Sequence, residues 1–340
     1  MDLLPYNTFR VSAQAKEFLA IKSLDQLTNL PKDLPFLLLG GGANILFVHD
    51  FPGLVIKNEL SGKNVVGEDD ESVQIKVASG ENWLELVTWT VENGWSGIEN
   101  MAFIPGTVGA AAAGNIAAYG GNFEDVFESA TAIELTTGQA QELSKKEMEF
   151  GYRESVFSRK LKNQFLVTAV TIKLSKQAHF DTSYHSRYES LATTLSKYGP
   201  GPYSPKQIAE AVTELRLTKL PDWRQVGTAG SFFKNPIVAH EKAEELKKGI
   251  SELQTYPAEK LIYSDQPTGD LIKIPAGRLL DELGWKGKRI GNVGTWEKHA
   301  LTVVNYGGAT GQEILDFTNQ MKEDIKSHFD IELEAEVNII

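Results

Sequence analysis

Eleven of the eighteen residues from Ile104 to Gly121 are glycine or alanine, and side chains this small let a backbone come close to something large. Glycine also permits positive φ, so successive N–H groups can converge on one point and form a nest for an anion. The chemistry suggested is the holding of a phosphate-bearing ligand. A packed alanine-rich helix is the plainer use of such a composition. Against it, Pro105-Gly106 opens the run, and Gly106, Gly109, Gly114, Gly120 and Gly121 would each weaken a helix by about 1 kcal/mol relative to alanine. A second cluster, Gly40-Gly41-Gly42, follows the apolar Phe36-Leu-Leu-Leu, and phosphate loops often sit at such strand ends. The dinucleotide fingerprint of nicotinamide domains is missing, because Ile45 stands where the third glycine belongs and no helix pattern follows.

Other chemistries lack their signs. The chain has no cysteine, which excludes disulfides, zinc–thiolate sites, iron–sulfur clusters and cysteine nucleophiles. Its six histidines show no ligand spacing such as HExxH, so no metal site is expected, and no G-x-S-x-G marks a serine hydrolase. A net charge of −11 opposes a general role on nucleic acid or anionic membrane. Met1-Asp-Leu-Leu-Pro-Tyr lacks the basic and apolar regions of a signal peptide, and no run of about twenty apolar residues occurs. Pattern alone therefore gives a cytoplasmic protein that binds a phosphorylated cofactor.

The elements that must position these segments are mixed. At 340 residues the chain should form two or three domains. Phe36–Leu39, Leu54–Ile56, Val73–Val77, Ala130–Thr136 and Phe165–Leu174 read as strands. Leu84, Val87 and Val91 share a helical face that Asn93-Gly94 ends. Residues 175 to 204 are polar, aromatic and irregular, the pattern of a mobile loop. Ser204-Pro205-Lys206-Gln207 then has the form of a capping box with proline at the first helical position, and the helix it opens should end before Pro221. Further helices are expected at Arg278–Leu283 and at Gln312–Phe329, the latter capped by Thr310 with Glu313. Leu301–Asn305 reads as a strand, and the alternation from Ile331 to Ile340 predicts a terminal one.

Seven motifs carry a resemblance that spans the chain: Leu39-Gly-Gly-Gly-Ala-Asn-Ile-Leu, Gly97-Ile-Glu-Asn, Ile104-Pro-Gly-Thr-Val-Gly-Ala, Asn115-Ile-Ala-Ala-Tyr-Gly, Tyr152-Arg-Glu-Ser-Val-Phe, Gly230-Ser-Phe-Phe-Lys-Asn-Pro and Leu333-Glu-Ala-Glu-Val. In this order they resemble the UDP-N-acetylenolpyruvoylglucosamine reductase family. The resemblance implies an α+β fold: a two-lobed FAD-binding domain of the vanillyl-alcohol-oxidase (PCMH) type, residues 1–218 with lobes of about 1–70 and 71–218. An α/β substrate-binding domain, 219–325, and a C-terminal segment, 326–340, that returns to the active site would follow.

It further implies NADPH-dependent reduction of the enolpyruvyl ether of UDP-N-acetylglucosamine through FAD, towards peptidoglycan, by a cytoplasmic monomer with no nucleic-acid or membrane partner. Gly40, Gly41, Gly42, Ala43 and Asn44, with Ile104, Pro105, Gly106, Thr107, Gly109, Ala110, Asn115, Tyr119 and Gly120, would hold the flavin. By motif match Arg153 stabilises the enolate, Ser231 donates the proton and Glu336 is the supporting acid, with Glu334 its rival. For the substrate the matches are Tyr188, with Tyr184 and Tyr203 as competitors, and Lys219, Asn235, Lys273 and His299, the last beside Lys298.

Overall fold

The structure, a computed structural model, describes residues 1–27, 30–31, 33–177, 191–258 and 270–340. The chain forms two compact units, Glu17–Gly41 with Gly53–Thr218, and Met1–Lys16 with Gly42–Pro52 and Lys219–Ile340.

In the first of these units, Phe51–Asn58 lies between Ala15–Ile21 and Phe36–Leu39 in a three-stranded sheet. It runs parallel to the latter, so Leu39 stands opposite Lys57. A five-stranded antiparallel sheet follows, in the order Ala140–Ser144, Phe127–Glu134, Phe165–Ser175, Ser72–Ala78, Lys63–Glu68. Val73, Ile75 and Val77 are fully buried on one face of their strand, the two-residue period of a pleated element. Each such side chain contributes about 1.5–3 kcal/mol by leaving water. The helix Trp83–Glu92 closes that core with Trp83, Leu86, Val87 and Val91. Asn82 caps it, its side chain accepting from the Leu84 and Glu85 N–H groups, which satisfies donors that a helix start leaves open. Lys63–Glu68 belongs to the five-stranded sheet, so the change of sheet falls near residue 60, earlier than the expected lobe limit at about 70.

The glycine–alanine run also departs from expectation, because Val108–Gly114 is helical. Four consecutive alanines outweigh two glycines at its second and last positions. Pro105-Gly106 and Gly120-Gly121 lie outside it.

The other unit carries a four-stranded antiparallel sheet, Gly227–Ser231, His299–Asn305, Val293–Trp296, Arg289–Ile290, and a three-stranded one, Ile237–Ala239, Leu271–Lys273, Tyr256–Pro257. The helix Gly311–Phe329 starts with the expected capping box between Thr310 and Glu313 and buries Ile314, Phe317, Thr318, Met321 and Ile325 along one stripe. Met1–Lys16 and Gly42–Pro52 fold here, not with the remainder of 1–218, for visible reasons. Asn305 Nδ2 donates to the Phe9 carbonyl at 2.9 Å, a Cβ on Gly227 would stand 2.5 Å from that same oxygen, and Val48 N–H donates to the Ile340 carbonyl at 2.8 Å. The expected terminal strand is reduced to Asn338–Ile339, paired in parallel with Ile45–Leu46, and to a single bridge between Phe233 and Ala335. Among the described residues no helix is long and apolar enough to cross a membrane.

Candidate active site

Within the first unit the two glycine segments pack on one another. A Cβ on Gly41 would lie 2.6 Å from Gly106 Cα, and one on Gly40 would lie 2.6 Å from Thr107 Oγ1. Gly109 is small for a protein neighbour too: a Cβ there would meet Ser79 Cβ at 2.7 Å. The N–H groups of Val108 and Gly109 donate to the Glu81 and Ser79 carbonyls at 3.0 and 2.8 Å, so these two are not available to an anion. Ser79 is itself fixed by Asn58, whose Nδ2 donates to Ser79 Oγ at 2.7 Å.

What remains suits FAD. Thr107 Oγ1 is buried and without a hydrogen-bond partner among the described residues, the cost that a ligand acceptor would remove. A Cβ on Gly106 or Gly114 would meet nothing within 4 Å, which leaves room for a large ligand on that side. Gly106 also has φ +132, a conformation that L side chains rarely adopt.

Arg153 stands at the tip of a tight turn closed by a hydrogen bond from Gly151 N–H to the Glu154 carbonyl at 3.0 Å. Its φ of 60 is strained for a residue with a Cβ, and such strain concentrates at functional positions. The following Ser155 caps the short helix Val156–Ser158 and donates from Oγ to the Ala113 carbonyl at 2.8 Å. Asn115, expected to touch the cofactor, has its side chain engaged elsewhere. Its Nδ2 donates to the Gly151 carbonyl at 2.9 Å and its Oδ1 accepts from Glu124 N–H at 3.1 Å, so it ties the end of the glycine–alanine helix to the Arg153 turn. Asn100 Nδ2 holds the Tyr119 carbonyl at 2.6 Å.

Arg216, on the helix Pro205–Lys219, was not singled out by the sequence. Its Nε donates to the Phe103 carbonyl at 2.9 Å, directly before Ile104. Burial pushes its guanidinium below the ordinary range, Tyr119 opposes that, and Arg153 adds to it. Arg216 thus holds the carbonyl that precedes the glycine–alanine run, within electrostatic reach of Arg153 and Tyr119. Only a helix position marked Arg216 in the sequence, and a helical arginine is ordinarily a surface residue.

In the other unit Ser231 ends the strand Gly227–Ser231, opposite Thr302 across a register shift. Gly230 before it has φ +77. The chain then pairs with the C-terminal segment: Lys234 N–H donates to the Glu334 carbonyl at 2.9 Å and Glu336 N–H to the Phe232 carbonyl at 2.8 Å. Glu336 is thereby fixed next to the residue that follows Ser231, and it is half-buried. Glu334 has its carboxylate on Lys234 Nζ at 2.7 Å, with a side chain 70% exposed, the position of a surface ion pair.

Asn235 Oδ1 accepts from Ala276 N–H at 2.9 Å, which caps the helix Ala276–Glu282 and leaves the amide NH₂ end for a ligand. Lys273 Nζ lies 5.4 Å from the centre of the Tyr256 ring. Burial pushes His299 down to about 4; Lys219 is the next cause, Lys286 adds to it and Asp281 opposes. His299 is therefore neutral near pH 7, with Lys219 and Lys286 on one side of its charge balance and Asp281 on the other. Lys298 is exposed. Tyr188 and Tyr184 lie outside the described residues, and Tyr203 donates from its hydroxyl to the Gly199 carbonyl at 2.9 Å. Among the described residues no group of three or more His, Asp or Glu could hold a metal ion.

Residues 29–144 match the family model described as FAD binding domain, and residues 222–340 that of UDP-N-acetylenolpyruvoylglucosamine reductase, C-terminal domain. The relative of that name from Flavobacterium johnsoniae is 38% identical over 100% of this chain and 98% of its own length. That from Burkholderia orbicola is 39% identical over 98% and 94%. The crystal structure of the corresponding enzyme from Thermus caldophilus superposes with a TM-score of 0.68 at 22% identity, covering 100% of this chain and 97% of that one, which shows the fold. With a cradle that suits FAD in one unit and a serine beside a carboxylate segment in the other, the chain belongs to the UDP-N-acetylenolpyruvoylglucosamine reductase family of FAD oxidoreductases, enzymes of peptidoglycan-precursor synthesis.

Proposed function

We propose that this enzyme reduces the enolpyruvyl ether of UDP-N-acetylglucosamine to UDP-N-acetylmuramate with NADPH. FAD, when bound, supplies a hydride acceptor for NADPH and a hydride donor for the substrate in turn. Hydride adds to the methylene carbon of the enolpyruvyl group, and the electron pair of the double bond moves to the adjoining carbon and its carboxylate. Arg153 holds that developing enolate charge, and Glu336 supports it as an acid. The Ser231 hydroxyl then gives its proton to the carbon next to the carboxylate, so hydride and proton together saturate the bond. Fixed donors of this kind are commonly worth about two to three decades in rate.

On the substrate, Lys219 and Lys273 supply positive charge to the diphosphate, and the Asn235 amide donates to the nucleotide. The neutral His299 serves as a hydrogen-bonding partner, and Tyr188 closes over the UDP group. Of the glycine segments, Gly40 to Asn44 face the cofactor's diphosphate, and Ile104 to Gly120 its ring. The reading is carried by one observation above all, the clamp of the Ser231-Phe232-Phe233-Lys234 segment by the C-terminal residues 334 to 336. It keeps Ser231 and the half-buried Glu336 on adjoining stretches of backbone.

The test is direct. The purified protein should be yellow, and its oxidation of NADPH should accelerate when the enolpyruvyl sugar nucleotide is added. NADH in place of NADPH should serve poorly. A colourless protein, or NADPH oxidation indifferent to that substrate, would overturn the assignment.

A further inference from the structure

Lys57 and Asn58 are consecutive residues at the end of the strand Phe51–Asn58, so their side chains leave on opposite faces. Each reaches a different glycine segment. Asn58 fixes Ser79 and through it Gly109. Lys57 donates from Nζ to the Gly40 carbonyl at 2.7 Å.

Lys57 is half-buried and forms no ion pair among the described residues. An ammonium held away from water without a counter-charge is costly. Burial lowers its pKa, an effect that Glu59 opposes, and Glu59 itself lies 3.9 Å from Lys22 at the surface. On the Cα side of Gly40 lies the second unbalanced group, the Thr107 hydroxyl, buried and without a partner among the described residues. A cation at the carbonyl of Gly40 and an unused hydroxyl over its Cα are the two features an anion at this loop would balance.

We propose that Lys57 is a positioning residue for the cofactor's diphosphate, its ammonium fixing Gly40 by the carbonyl and lending that loop the positive charge the diphosphate requires. The inference rests on the reading of Gly40–Asn44 as the diphosphate seat. No motif drew attention to Lys57, because its neighbours in sequence form an ordinary apolar strand.

The experiment uses the holoenzyme, diluted while FAD release is followed by flavin fluorescence. Lys57→Gln keeps an N–H donor for the Gly40 carbonyl and removes the charge; Lys57→Arg keeps the charge. Lys57→Gln should weaken FAD retention by about tenfold or more, the scale of a charge-assisted contact. It should also make release less sensitive to added potassium chloride than in the wild type. Lys57→Arg should stay within about threefold of the wild type, and melting of the FAD-saturated variants reports whether each is folded. Retention by Lys57→Gln equal to the wild type would overturn the proposal. A loss in Lys57→Arg as large as in Lys57→Gln would do the same, since shape and not charge would then matter. Thr107→Val separates the seat from the lysine: it removes the unpaired hydroxyl at no expected cost in melting temperature, yet should weaken FAD. Wild-type retention in Thr107→Val would mean that the seat lies elsewhere, whereas weakening there with none in Lys57→Gln would leave the seat standing and Lys57 without the role.

Discussion

Glu336→Gln keeps the length and shape of the side chain and removes its acidity. The backbone bond from residue 336 N–H to the Phe232 carbonyl, 2.8 Å long, does not involve the side chain, so the clamp on the Ser231 segment should survive and stability should change little. Glu334→Gln is the matched control. It deletes an ion pair with Lys234 whose carboxylate side chain is 70% exposed, and such surface pairs are worth about 0–1 kcal/mol. Neither substitution should unfold the protein. For Glu336→Gln the expected loss is about two decades in the rate of substrate reduction, close to 3 kcal/mol of transition-state stabilisation. The assay is stopped-flow absorbance of the flavin in two half-reactions, reduction by NADPH and reoxidation by the enolpyruvyl substrate. Only the second should slow in Glu336→Gln, and neither in Glu334→Gln. Equal activity in the two variants, or a larger loss at Glu334, would refute the role given to Glu336.

Ser231→Ala should leave flavin reduction by NADPH near normal and slow reoxidation by about a hundredfold or more, the range of a lost general acid; equal slowing of both halves would point to a cofactor defect. His299 is held down to about 4 by burial, below its unfolded value near 6.5. The unfolded chain therefore binds the extra proton first, and stability falls as pH drops from about 6.5 through 4, by up to about 3 kcal/mol. Urea unfolding at pH 7 and pH 4.5 should show His299→Gln losing less stability on acidification than the wild type, and identical losses would contradict this. Gly109→Ala, whose Cβ would meet Ser79 Cβ at 2.7 Å, should lower the melting temperature through about 1–3 kcal/mol of overpacking. Gly114→Ala meets nothing, should stabilise its helix by up to about 1 kcal/mol, and should still weaken FAD if the ligand fills that space; unchanged flavin content in Gly114→Ala would empty that space of any role.

Much of the scaffold was legible because it is written in periods and caps. The alternation of Val73, Ile75 and Val77 and the Thr310–Glu313 box are local signals, and local physics decides them. The terminal segment has the same alternation from Ile331 to Ile340, yet it forms only a bridge at Ala335 and the pair Asn338–Ile339. Alternation states which residues want burial, and it does not say whether a partner strand runs alongside for the whole length. The grouping of Met1–Lys16 with Lys219–Ile340 was hidden for the same reason. It depends on Asn305 and Gly227 meeting Phe9 across most of the length of the chain. Arg216, Lys57 and the structural use of Asn115 likewise depend on carbonyls that tertiary contacts deliver, at Phe103, Gly40 and Gly151.

The glycine segments show where composition stops being informative. By composition the small residues there offer room for a ligand, and the structure divides them into two kinds. Gly40, Gly41 and Gly109 are small because Thr107, Gly106 and Ser79 occupy the space a Cβ would take. Gly106 and Gly114 have open space in that direction. A sequence prints both kinds as the same letter. The first kind brings the segments into contact, so that the strand ending in Lys57 and Asn58 can hold both from its two faces. The second kind leaves the surface on which a cofactor can lie. Close packing of the first set is thus the condition for the openness of the second, and a change at either would reduce flavin binding by a different route: by shifting the frame, or by filling the seat.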